Sequence, residues 1–204
     1  MKVDSRFVEK HKHEKYDTRN PIGQLVIKNF MSAITSLLKP IGESIHTVNE
    51  CGCGQGHVSR RLQAVLPHAQ VRGFDLSTKD IRLAQIQSDS KIIFSQKSIY
   101  DLGTSDKADL IVCCEVLEHL QEPELALQKM AALEAQYYLF SVPREPLWKV
   151  CQMLAGNHIS EWGNTPGYIN HWSVKKFEDF IGLYYQPIET LKPFPWQMVL
   201  ARLK

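Results

Sequence analysis

Three groups of residues in this chain have the types and spacing to do chemistry. The first is Glu50-Cys51-Gly52-Cys53-Gly54-Gln55-Gly56, in which three glycines alternate with other residues behind an acid. Glycine lets a backbone turn sharply and approach a ligand that a Cβ would push away. A dinucleotide fold calls for Gly-x-Gly-x-x-Gly, because a pyrophosphate rests on the N-terminus of the next helix. Here His57 stands where that pattern needs its third glycine, and the carboxylate of Glu50 suits a cationic ligand better than a pyrophosphate. The second mark is Asp75, which closes the run Val71-Arg72-Gly73-Phe74. An acid at that place can reach the ribose hydroxyls of a ligand on the glycine loop, or cap the helix that Leu76-Ser77 introduces. The third is Glu115-Val116-Leu117-Glu118-His119. A helical turn here would put both carboxylates and the imidazole on one face. Such a set could bind a divalent metal, or His119 alone could act as a general base.

The elements that must position these residues follow from the apolar pattern. Short apolar runs alternate with amphipathic stretches, which predicts β-α-β units on a parallel sheet. Helices are expected over Phe30–Leu38, His57–Leu66, from Ser77 through Ile86, over Glu122–Leu133 and from Ser173 through Ile181. Strands are expected at Ile45–Asn49, Gln70–Phe74, Lys91–Ser95, Ala108–Cys113, Gln136–Ser141, Tyr184–Thr190 and Trp196–Leu200. The result is an α/β fold, a doubly wound, mostly parallel seven-stranded sheet with helices on both faces, made mixed by a closing hairpin. Its ligand site belongs at the carboxyl ends of the strands.

The glycine loop with its leading acid resembles the first motif, Glu/Asp-x-Gly-x-Gly-x-Gly, of the class I, Rossmann-like S-adenosylmethionine-dependent methyltransferases. The resemblance extends to Asp75 and to the Asp109–Leu120 run, and in layout to most of the chain. It implies S-adenosyl-L-methionine as cofactor, held by Glu50, Gly52, Gly54 and Gly56, with Asp75 on its ribose beside Leu76. Ser98 and Ile99 fall where the family contacts adenine, although the family has an acid at the place of Ser98. Cys114 and Glu115 close the fourth strand beside the cofactor, and Arg19 could hold its carboxylate. Small-RNA 2′-O-methyltransferases and ubiquinone-pathway O-methyltransferases carry a similar Glu-x-x-Glu-His, which in the former holds a metal. By that likeness a metal would sit on Glu115, Glu118 and His119, with His171 or His158 completing the set.

One domain is expected over 1–204. It comprises an N-terminal helical cap (1–43), a cofactor-binding core (44–142), a substrate-side insertion (143–172) and a closing helix and strands (173–204). The insertion is dense in Gly, Pro and aromatics, including Trp148, Trp162 and Trp172. Such residues line a small-molecule pocket or cover a sheet edge. Methyl transfer to a small-molecule acceptor, at oxygen, is the expected activity, with His119 or His171 as base. The alternatives are a metal-dependent RNA 2′-O-methyltransferase and a non-catalytic binding protein of the same fold. A net charge of +2 gives no electrostatic ground for a nucleic-acid partner. No run is long and apolar enough for a membrane span. Five cysteines, four of them in two tight pairs, predict reduced thiols in a cytoplasmic protein rather than a disulfide framework.

Overall fold

Asn20 opens the first helix of the described residues. Its side-chain oxygen accepts from the Ile22 amide at 2.9 Å, and Pro21 takes the first helical position, where a missing N–H costs nothing. The computed structural model describes residues 20–88, 91–154 and 168–204, with only the backbone of 150 and 152–154. Helix α1, Pro21–Leu38, starts well ahead of the expected Phe30. The apolar spacing marked only its buried part. Phe30, Ile34, Leu37 and Leu38 are in the core, whereas Ile22 and Leu25 on the first turns are exposed.

The remaining helices are α2 His57–Val65, α3 Thr78–Gln87, α4 Pro123–Ala131, α5 Leu147–Leu154 and α6 Val174–Ile181. Ser77 and Ser173 cap α3 and α6 through their hydroxyls, as their positions predict. The strands are β1 Thr47–Cys51, β2 Gln70–Asp75, β3 Ile93–Gln96, β4 Leu110–Cys114, β5 Tyr137–Pro143, β6 Tyr185–Leu191 and β7 Trp196–Leu203. They form one sheet in the order β3-β2-β1-β4-β5-β7-β6. The first five strands run parallel, and β7 is antiparallel to both β5 and β6. This is the mixed, doubly wound α/β sheet that the alternation of elements implied.

Alternation along the central strands divides the core in two. Val48, Leu110, Val112 and Leu139 pack towards α1, α2 and α3. Ile111, Cys113, Tyr138 and Phe140 pack towards α4 and α6. Burying a side chain of this size is worth about 2 kcal/mol, so both faces hold the sheet rigid beneath whatever stands on its carboxyl edge. The strand order reverses between β1 and β4, and that switch point is where a doubly wound sheet opens a crevice. Glu50, Asp75 and Glu115 all lie at strand ends around it.

Candidate active site

The loop after β1 is built by backbone. Gly52, Gly54 and Gly56 adopt φ values of 79°, 51° and 75°, the left-handed region that favours glycine. Both the Gly52 and Cys53 amides donate to the Phe74 carbonyl, at 2.7 and 2.9 Å, which ties the loop to β2. A Cβ on Gly52 would run into Val116. Asp75 completes the frame. One carboxylate oxygen accepts from the Gly54 amide at 2.8 Å and the other from the Ser77 amide at 2.9 Å. The cap of α3 is Ser77 and not Asp75, and each Asp75 oxygen keeps a lone pair after its backbone bond. Glu50 is 2% exposed and accepts a hydrogen bond from the Ser59 hydroxyl on α2.

Around this loop stand the other expected contacts. Leu76 is exposed for a hydrophobic side chain, at 39%, and offers an apolar surface at the end of β2. Ile99 is buried in the core instead. The Ser98 hydroxyl accepts from the Tyr100 amide at 3.2 Å and retains its own proton to donate. Cys114 ends β4. Burial pushes its thiol well above the usual range, and the nearby carboxylates of Glu50, Glu115 and Glu118 add to the shift against a bond from Ser141. Burial likewise pushes the Cys51 thiol up to about 12, with Glu50 and Asp106 adding to it. Neither sulfur is a nucleophile at neutral pH. Arg19 lies outside the described residues, as does His158.

The Glu115–His119 turn differs from expectation. Glu115 has φ of 59°, so β4 breaks off in the left-handed region rather than running into a helix. Only Leu117–His119 form a single 3-10 turn. The three side chains consequently do not share one helical face. Glu115 is turned back to the sheet, where the Ser141 hydroxyl of β5 donates to it at 3.1 Å. Glu118 is 1% exposed, with an oxygen 3.8 Å from Nε2 of His119. His171 is paired elsewhere, its Nδ1 3.1 Å from Glu145. Among the described residues no group of three His, Cys, Asp or Glu is placed to hold a metal ion. The set Glu115, Glu118, His119 and His171 is thus not gathered for one, and no catalytic step is derived through a metal.

What holds the acceptor side together is a short return segment. The amides of Ile169 and Asn170 both donate to the Glu118 carbonyl, at 2.8 and 3.0 Å. The Asn170 side-chain amide donates to the carbonyls of Leu117 and Leu120, at 3.1 and 2.6 Å. Tyr168 then packs edge-on against the His119 ring, with centroids 4.9 Å apart. The aromatic contacts continue from Tyr168 to Trp148 and from Trp148 to Trp196, each at 5.9 Å, and end on Phe30 of α1. Trp172 instead stacks on Phe180 of α6. Trp148 thus joins a series of rings that ends on α1, Trp172 covers α6, and Trp162 lies outside the described residues.

This arrangement of strands and loops has known counterparts. Residues 48–135 match the family model described as "Methyltransferase domain". The segment is a methyltransferase domain. The ubiquinone biosynthesis O-methyltransferase of Cupriavidus pinatubonensis is 34% identical over 91 residues, which are 42% of this chain and 36% of that protein. Its counterpart in Dechloromonas aromatica is 26% identical over 162 residues, 69% of each chain. The chain therefore spans well under half of the first of these relatives. Among solved structures, magnesium protoporphyrin IX methyltransferase from Synechocystis PCC 6803 with bound SAH superposes with a TM-score of 0.68. It shares 18% sequence identity over 92% of this chain and 89% of that one. The likeness shows the class I methyltransferase fold.

The site also contains residues that spacing alone did not single out. Ser59, Asn170 and Tyr168 each act across elements, Ser59 on Glu50 of β1 and the other two on the Leu117–Leu120 turn far earlier in the chain. Glu145 was visible only as part of a polar stretch in the insertion. No periodicity marks such residues. An asparagine or glutamate in a Gly- and Pro-rich segment is the sole signal, and it is a weak one.

Proposed function

We propose that this chain transfers a methyl group from S-adenosylmethionine to an oxygen of a small molecule. The observation that carries the reading is the frame of three left-handed glycines, Glu50 and Asp75 at the switch point. The residues present fit the cofactor. Gly54 leaves room for close approach, Asp75 keeps lone pairs for ribose hydroxyls, and Leu76 offers an apolar face to adenine. Glu50, beside the loop, suits the cationic amino end, and the Ser98 hydroxyl retains a proton to give. The bound cofactor supplies a methyl group made electrophilic by its sulfonium. The protein's task is then to align the acceptor in line with that carbon and to exclude water.

On the acceptor side, the described part of residues 143–172 and the Glu118–His119 turn supply the wall. His119 or His171 takes the proton that the acceptor oxygen loses, an imidazole nitrogen being able to accept it. Two supports favour oxygen: the two imidazoles on this side, and the named activity of the ubiquinone biosynthesis O-methyltransferases that resemble residues of this chain. Among the described residues no helix is long and apolar enough to cross a membrane, so the acceptor is proposed to arrive as a small molecule from solution. Titration calorimetry with S-adenosylmethionine and S-adenosylhomocysteine tests the reading, followed by transfer of labelled methyl to an acceptor panel. Micromolar binding of both and label on an O-linked product are expected. Absence of binding of either compound overturns it.

A further inference from the structure

Beyond β5 the chain places a second polar cluster that the cofactor frame does not use. Glu145 follows the end of β5 by two residues, and its side chain is 11% exposed. One of its oxygens lies 3.1 Å from Nδ1 of His171. The other is buried and has no hydrogen-bond partner among the described residues. Gln197 stands nearby on β7, opposite Val142 in the sheet register, and is 0% exposed. Its amide nitrogen donates to the Trp172 carbonyl at 3.3 Å, the same carbonyl that accepts from the Glu145 amide at 3.0 Å. That bond assigns the remaining atom of Gln197 as an oxygen, and it too is buried without a partner among the described residues.

Two buried acceptor oxygens, on residues that share the Trp172 carbonyl, are therefore left without donors among the described residues. Native proteins rarely leave buried polar atoms so, and each case calls for a group that satisfies it. Both lie at the carboxyl edge of the sheet. The segment that carries His171 is the one pinned by Asn170 to the turn holding His119. An apolar group set against them would leave both oxygens desolvated and unpaired, whereas a hydrogen-bond donor would satisfy them.

We propose that Glu145 and Gln197 are the specificity-determining residues of the acceptor pocket, receiving an O–H or N–H donor of the methyl acceptor. Glu145 divides its work, holding the Nδ1–H tautomer of His171 with one oxygen and the acceptor's donor with the other. The proposal rests on the methyltransferase reading above and extends it to the class of acceptor, one that carries a hydrogen-bond donor.

The test uses the full chain saturated with S-adenosylhomocysteine and a matched probe pair, phenol and anisole, which differ in a single donor. Ligand-observed NMR titration reads the two affinities. Phenol should bind about fivefold to tenfold more tightly than anisole, the worth of one hydrogen bond. Glu145→Gln keeps an oxygen for His171 and puts an NH2 where the second oxygen was, so the preference should vanish or reverse. Gln197→Leu, an independent variant, should reduce the preference and remains informative if Glu145→Gln fails to fold. Equal affinities in the wild type, no binding of either probe, or a phenol preference unchanged in the folded variants overturns the proposal. Loss of S-adenosylhomocysteine binding would overturn the methyltransferase reading and this proposal with it, whereas binding without probe discrimination overturns this proposal alone.

Discussion

The two halves of the sheet's carboxyl edge are held by different means. Around β1 and β2 the frame is backbone. Glycines take left-handed φ values, amides bond to Phe74, and one carboxylate, Asp75, closes the loop. Around β4 and β5 the frame is side chain against carbonyl. Asn170 fastens a returning segment to a 3-10 turn, and aromatic rings pack one against the next from His119 to Phe30. A backbone frame admits few substitutions and suits a ligand that never changes. A side-chain frame can be refitted residue by residue, which suits the acceptor, the variable partner of the reaction.

The comparison breaks most readily at Gly54. A valine there must take φ near 51°, which a β-branched residue resists, so the loop that the cofactor is proposed to rest on is distorted. Affinity for S-adenosylhomocysteine should fall by about 100-fold or more in calorimetry, while far-UV dichroism remains that of the wild type. Asp75→Asn comes next. The amide can satisfy only one of the Gly54 and Ser77 amides as an acceptor and turns a donor towards the other. A stability loss of about 2 kcal/mol in urea unfolding and a weaker cofactor are expected together.

On the other half, Asn170→Ala should separate the two frames. It removes the donors to Leu117 and Leu120 at a cost of about 1–2 kcal/mol. Hydrogen exchange at Ile169 and the remaining backbone amide of residue 170 should accelerate, yet S-adenosylhomocysteine affinity should stay within about twofold. A large loss of cofactor affinity would show that the halves are not independent. The smallest effect concerns Cys51, whose folded thiol is pushed up to about 12 from 9.0 by burial and by Glu50 and Asp106. A raised folded value stabilises the fold fully below pH 9, and that share is lost as the pH rises from 9 towards 12. Wild type should therefore lose about 1 kcal/mol more stability than Cys51→Ala between pH 8 and pH 10, measured by urea unfolding.

The same contrast explains what could be read without coordinates. Left-handed turns demand glycine, so Gly52, Gly54 and Gly56 announced the tight loop after β1, and the apolar alternation of β1 to β5 announced the sheet beneath it. Helix α1 was read short because its first turns carry Ile22 and Leu25 outside the core, where no apolar stripe forms. The Glu115–His119 turn was misread as helix because i, i+3, i+4 spacing says nothing about where a helix begins. Glu115 at φ of 59° postpones that start by two residues and separates the three side chains. His171 was placed with Glu118 by chemical type, whereas Glu145, brought close by the end of β5, takes its Nδ1. Pairings between segments that meet only in the folded state leave no local trace.

Strand β7 has a consequence for how the molecule is made. It inserts between β5 and β6, pairing Tyr138 with Ala201 and Pro143 with Trp196. Synthesis delivers β1 to β5 first, so β5 spends the interval as an open edge whose Tyr138, Phe140 and Val142 still lack their neighbour. An unpaired, apolar edge of that kind is a template for joining another chain. The nascent protein is therefore most exposed to misassociation after β5 has left the ribosome and before residues 196–203 arrive to close it.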